Sequence, residues 1–236
     1  MKANLVVVGA HPMDAEILGG ALAAQLARSN CTSVLVHLTN GARSYPHLGP
    51  RASADVSEQE ATEASQVLGT RHHWCDFDSC SLHARGRFRD ALAELLTEWQ
   101  PEVIITHWRG SWHERHSIAH RLVVNAVATA RISPALYYGE NFEDLAGFTP
   151  RFYVEISKVC TVWWEALECY GLVRASRAIE AEDVSTFPYH AYYRAAPRVR
   201  GLESGVPLAQ ALATGGSRPQ TPVLIDNVLA HGKGEA

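Results

Sequence analysis

Two short stretches of this 236-residue chain gather the side chains that do chemistry. The first is Ala10-His11-Pro12-Met13-Asp14-Ala15-Glu16. The second runs from His107 through Trp108, Arg109, Gly110, Ser111, Trp112, His113, Glu114 and Arg115 to His116, with His120 one helical turn further on. An imidazole and a carboxylate three positions apart, as in His11 and Asp14, can converge on one divalent ion. A histidine from a neighbouring strand end would complete a facial set of three and leave a position open for water, which is how a catalytic zinc site is usually built. The same residues also have plainer uses, His11 as a loop residue beside a helix and Asp14 as that helix's N-cap. Twelve histidines stand out, because imidazole is the commonest metal ligand and the natural proton carrier near neutral pH.

The elements that must position these stretches are legible in the apolar pattern. Leu5-Val6-Val7-Val8-Gly9-Ala10 reads as a strand ending in a glycine turn, and Leu18, Leu22 and Leu26 recur at a helical spacing. Ser33 to Leu38 predicts a second strand, residues 57–68 a helix, and His72 to Phe77 a short strand. Phe88 to Leu96 predicts a helix before Pro101, and Val103 to His107 a buried strand. Strands alternating with helices predict an α/β fold: a Rossmann-like, mostly parallel sheet with helices on both faces, in a single domain over 1–213. Ligands of such sheets collect outside the carboxyl ends of the strands, and both chemical stretches follow a strand. After Gly139 the rhythm weakens into a loop with Gly147 and Pro150, an apolar run Phe152 to Ile156 and a helix expected from about Thr161 to Ala181. Residues 214–236 read as a C-terminal tail, flexible around Thr214 to Pro219, whose patch Pro222-Val223-Leu224-Ile225 packs on the body or on a neighbouring subunit.

Composition narrows the partners. With 47% hydrophobic and 19% charged residues the chain is neither disordered nor fibrous. A net charge of −4 and the lack of a dense Lys/Arg run argue for a small-molecule substrate and against nucleic acid or a membrane surface. No apolar stretch approaches the ~18 residues of a membrane span, and His11 interrupts the first apolar run, so no signal peptide is expected. Five scattered cysteines without a Cys-x-x-Cys pair predict buried, inert thiols and a reducing, cytoplasmic setting.

At the two chemical stretches the sequence resembles the PIG-L/LmbE-like family, the N-acetylglucosaminyl-phosphatidylinositol and mycothiol-pathway deacetylases. Ala10 to Glu16 is similar to the family's A-H-P-D-D-x-E, with Met13 at the first Asp. Ser111 to His116 is similar to its D-x-H-P-D-H. Thr39-Asn40-Gly41-Ala42-Arg43 and Arg200-Gly201-Leu202-Glu203-Ser204-Gly205 are further echoes, and the resemblance runs to about residue 212. Carried over, it implies that His11, Asp14 and His116 ligate Zn2+ or another first-row divalent metal. It implies further that His113 stabilises an oxyanion, that Glu16 orients the site, and that Arg43 helps to hold substrate. Three departures bear on the chemistry: Met13 replaces the general base, Ser111 the Asp ahead of the histidines, and Arg115 the Asp that would orient His113. Loss of a base costs about 10²–10⁴-fold, and a cation at Arg115 is expected to favour neutral His113. Glu114, Glu16 and His120 are the acidic or basic groups near enough in sequence to stand in, while Tyr189 and His190 could close over the pocket or simply pack.

The resemblance implies a zinc-dependent, deacetylase-like hydrolase acting on a small N-acyl or amide substrate, an amino sugar or a thiol conjugate. Its alternatives are a metal-dependent hydratase or lyase similar to 4-oxalomesaconate hydratase, for which a non-acidic residue 13 is compatible, and a catalytically impaired pseudoenzyme. Relatives imply a homo-oligomer, trimer or hexamer.

Overall fold

The apolar segments become the strands of one sheet because burying both faces of a β-branched run requires helices above and below it. A computed structural model describes residues 2–144, 147–178, 187–215 and 223–225. The chain runs β1 (Leu5–Gly9), α1 (Asp14–Ala27), β2 (Ser33–Thr39), α2 (Pro50–Leu68), β3 (Arg71–Phe77), α3 (Arg87–Trp99), β4 (Val103–His107) and α4 (Glu114–Ala130). It continues through β5 (Ala135–Gly139), β6 (Phe152–Glu155), α5 (Cys160–Leu167), α6 (Gly171–Ala175), α7 (Tyr189–Ser204), β7 (Ala209–Ala213) and β8 (Val223–Ile225).

The eight strands form one sheet in the order β3-β2-β1-β4-β5-β7-β6-β8. Strands β3 to β5 along this order are parallel, while β7 lies antiparallel between β5 and β6. From β1 the chain winds outward through β2 and β3, then returns to β4 on β1's other side. The β1/β4 boundary is therefore the point where the winding reverses and where a crevice opens at the carboxyl ends.

Alternation along the strands divides the core. Leu5 and Val7 of β1 face one layer with Leu18, Leu22 and Trp163, while Val6 and Val8 face the other with Leu92, Leu96 and Leu122. Helix α1 is buried along nearly its whole length, so the spacing of its leucines marks only part of the surface it covers. At its middle a Cβ on Gly139 would stand 2.5 Å from the Leu18 carbonyl oxygen, so glycine at the end of β5 sets how closely helix and sheet approach.

Two local expectations are corrected. Helix α2 begins at Pro50, with proline in the first turn where its missing N–H costs nothing. The helix expected from Thr161 to Ala181 is broken between Leu167 and Gly171, because Glu60 takes the Gly171 N–H at 2.8 Å and Tyr170 turns into the core in an extended conformation; residues 179–181 lie outside the described residues. Strand β7 and helix α7 carry weak sequence signals, Ala-Gln-Ala-Leu-Ala and an arginine-rich stretch with Pro197 inside the helix. Of the tail, Val223–Ile225 pairs parallel with β6, Thr214 and Gly215 are described, and residues 216–222 and 226–236 lie outside the described residues. No helix among the described residues is long and apolar enough to cross a membrane.

Candidate metal centre

The loop from β1 to α1 sets His11 and Asp14. Only glycine fits at position 9, where a Cβ would meet the Ala15 nitrogen at 2.6 Å and Asp14 Cβ at 2.7 Å. The chain then turns through Met13 at φ 79°, a left-handed conformation uncommon outside glycine. Asp14 is the first residue of α1 rather than its N-cap. Its Oδ2 accepts the backbone N–H of His11 at 2.8 Å and lies 3.2 Å from His11 Nδ1. Thr39, ending β2, donates from its backbone N–H and Oγ1 to the Ala10 carbonyl at 3.0 and 2.8 Å, pinning the loop to the sheet.

Strand β4 and the start of α4 bring two more imidazoles to the same carboxylate and a third beside them. His116 Nε2 and His107 Nε2 each lie 3.3 Å from Asp14 Oδ2. The His107 ring stacks on His116 at 4.0 Å between centroids, and His113 stacks on the other side at 4.5 Å. His11 meets His113 edge-on at 4.9 Å. Among the described residues, His11, His113 and His116 offer ligand atoms within 4.8 Å of one another, and so do Asp14, His107 and His116. The sequence-derived ligands His11, Asp14 and His116 thus come together around one oxygen, with His113 beside them.

Glu143, in the loop after β5, completes the arrangement. Its Oε2 lies 2.9 Å from His116 Nδ1, while buried Ser111 places Oγ 3.3 Å from the same nitrogen. A carboxylate from a distant segment thus faces the same nitrogen as Ser111. Sequence reasoning missed Glu143 and gave His107 no role of its own. The rule that picked out the loops after β1 and β4 also reaches the loop after β5, the neighbour of β4, and would have found Asn141 to Asp144.

Electrostatics follow from burial and crowding. Burial pushes the Asp14 carboxyl up, but the His116 and His107 charges outweigh it and hold it well below the usual carboxylate range. Burial pulls His116 down, yet Asp14 and Glu143 together raise it to about 10. His107, buried and beside His116, is lowered to about 3. His113 is lowered by burial, then by His116 and His11. The expected direction for His113 therefore has a different cause, because Arg115 instead directs its guanidinium to the Leu82 carbonyl at 3.5 Å.

A cavity of about 530 Å³ opens over this cluster, within the ~300–1,000 Å³ typical of small-molecule sites. Met13, Arg43, Arg115, Phe142, Glu143 and Tyr189 share its lining with the ligand cluster. Glu16 does not. It is fully buried, its carboxylate sits 3.1 Å from His37 Nε2, and its backbone carbonyl accepts the Trp163 indole N–H at 2.7 Å. Glu114 is exposed, His120 places Nδ1 3.0 Å from the His107 carbonyl outside the cavity lining, and the His190 N–H goes to Ser176 Oγ.

The residues present fit a divalent metal ion. Imidazole nitrogens and one carboxylate converge, and the Nδ1 atom of His113 is buried without a hydrogen-bond partner. A family model described as PIG-L, GlcNAc-PI de-N-acetylase, matches residues 6–127. The chain belongs to the PIG-L family. Among solved structures it is similar to the conserved protein TT1542 from Thermus thermophilus, at 24% identity and TM-score 0.73 over 91% of this chain and 95% of that one. It is similar also to GalB, the 4-carboxy-2-hydroxymuconate hydratase from Pseudomonas putida, at 19% identity and TM-score 0.78 over 94% and 100%. N,N'-diacetylchitobiose deacetylase from Pyrococcus horikoshii matches at 16% identity and TM-score 0.71 over 89% and 82%. The likeness to these three is one of fold, and they include a deacetylase and a hydratase.

Proposed function

We propose that this PIG-L family member is a metal-dependent hydrolase that removes the acyl group from a small N-acyl or amide substrate, with His11, Asp14 and His116 holding Zn2+ or another first-row divalent ion. The observation that carries this reading is the meeting of His11 and His116 at Asp14 Oδ2, at 3.2 and 3.3 Å, beneath an open cavity. When bound, the ion would polarise the carbonyl and activate water. The chain's own residues do the rest. Glu143 holds His116 by its Nδ1, so that Nε2 faces Asp14. His113, kept neutral by burial and by its histidine neighbours, can donate a hydrogen bond to the oxygen that gains charge as the carbonyl is attacked. Arg43 lines the cavity as a substrate contact. Glu16 acts through α1, holding the helix that carries Asp14 rather than touching substrate.

Met13 favours a second reading. At this position the cavity is lined by a thioether that cannot accept a proton, and the similar hydratase shows that this fold also carries water addition. Elemental analysis of the wild type and His116→Ala, alongside acetate release from N-acetylated amines, tests both. About one zinc per chain, lost in the variant, with acetate release supports the hydrolase. Zinc with turnover of an unsaturated acid and no acetate supports the hydratase, and zinc with neither leaves an impaired enzyme. Absence of zinc after supplementation refutes the ligand assignment.

A further inference from the structure

Phe142 and Tyr189 line the cavity, backed by Phe187, whose ring stacks on Phe142 at 3.6 Å and meets Tyr189 at 4.9 Å. Two arginines from unrelated segments line it as well, Arg43 after β2 and Arg115 in the first turn of α4. Among the described residues Arg174, Arg177, Arg194 and Arg200 pair with carboxylates. Arg43 and Arg115 form no ion pair among the described residues, although Asp78 borders the same cavity. Arg115 makes only the long contact to the Leu82 carbonyl. Asp78 is engaged locally, its Oδ1 accepting the Cys80 N–H at 3.1 Å.

We propose that the substrate carries a carboxylate, held by Arg43 and Arg115, on an apolar body that lies against Phe142 and Tyr189. A guanidinium presents a planar fork that matches a carboxylate, and two of them bordering a concave site without a carboxylate partner can receive an anion. This rests on the proposed hydrolase reading, in which the scissile amide sits at the ligand cluster.

N-acetyl-L-phenylalanine and its neutral amide, N-acetyl-L-phenylalaninamide, have the same body and differ only in the carboxylate. Calorimetric titration of the zinc-supplied full chain should show the acid binding about tenfold more tightly than the amide. Arg43→Gln and Arg115→Gln should each remove that preference by weakening the acid alone, and Arg115→Lys should restore part of it. Because Arg43 is exposed, its substitution leaves the fold intact even if Arg115→Gln does not fold. Equal affinities, binding of neither compound, or a preference that survives both substitutions overturns the proposal. Zinc content and acetate release measured on the same samples separate the two readings. A carboxylate preference lost with the arginines but without zinc or hydrolysis refutes the hydrolase and keeps the anion subsite, whereas hydrolysis of both compounds at equal rates with equal affinity does the reverse.

Discussion

Asp14 and Glu16 stand two residues apart in the first turn of α1, both buried and both against histidine, yet they belong to different kinds of site. Glu16 is sealed, with no exposed surface, one imidazole partner at 3.1 Å and Tyr170 beside it, whose phenol is pushed well above its usual range by burial and by Glu16. Asp14 borders a cavity, and three imidazoles converge on a single one of its oxygens. A buried ion pair sealed from solvent is a structural device, whereas a carboxylate crowded by several imidazole nitrogens beneath an opening to solvent has the makings of a binding site. Helical geometry makes this possible, since positions two apart point to different sides of a helix.

Substitutions at these positions can break the contrast. Asp14→Ala should have the largest effect, loss of stoichiometric zinc and with it all hydrolysis, with the fold retained; full metal content in this variant would end the distinction. Glu16→Ala should do the opposite, costing about 3 kcal/mol of unfolding free energy by leaving His37 without its partner, while zinc content at a temperature where the protein is folded stays at wild-type level. Denaturant unfolding and elemental analysis on the same preparation read both quantities.

The sequence reading gave Asp14 a ligand's place and Glu16 the orienting of the site, but not what faces Glu16, because that depends on what lies across the helix. His37 lies in β2 and Tyr170 in the helix break after α5, and neither has a sequence relation to Glu16. The parallel half of the fold was legible, since β1, β2 and β4 are continuous apolar, β-branched runs with glycine and proline punctuation nearby. The antiparallel half was not, because β7 is mostly alanine and gains its strand form by pairing with β5 and β6. The meeting of His11, Asp14 and His116 was readable where motifs lie next to strand ends. Glu143 escaped because its partner His116 comes from a different loop, and pairing of that kind is fixed by strand order alone.

Met13→Asp sharpens the contrast from the cavity side. If the hydrolase lacks only a base, this variant should raise amide hydrolysis by about 10²-fold, measured as acetate release at constant zinc content; an unchanged rate would mean that another group handles the proton or that the reaction is not hydrolysis. The smallest of these effects is expected for Glu143→Gln. Loss of a carboxylate behind a ligating histidine weakens metal affinity by about tenfold, read by competition with a chelator, and unaltered affinity would make the 2.9 Å contact incidental.

The placement of Glu143 also orders events in time. His11 and Asp14, His107 and His116, and Glu143 come from three segments far apart in the chain, and they meet only when β1, β4 and β5 lie side by side. Contacts of such sequence separation form late in folding, after the loops between them have closed. The centre cannot assemble piecemeal on a nascent chain, so ion uptake would act as a readout of a finished sheet, and an ion that prefers this assembled state would slow unfolding more than it speeds folding.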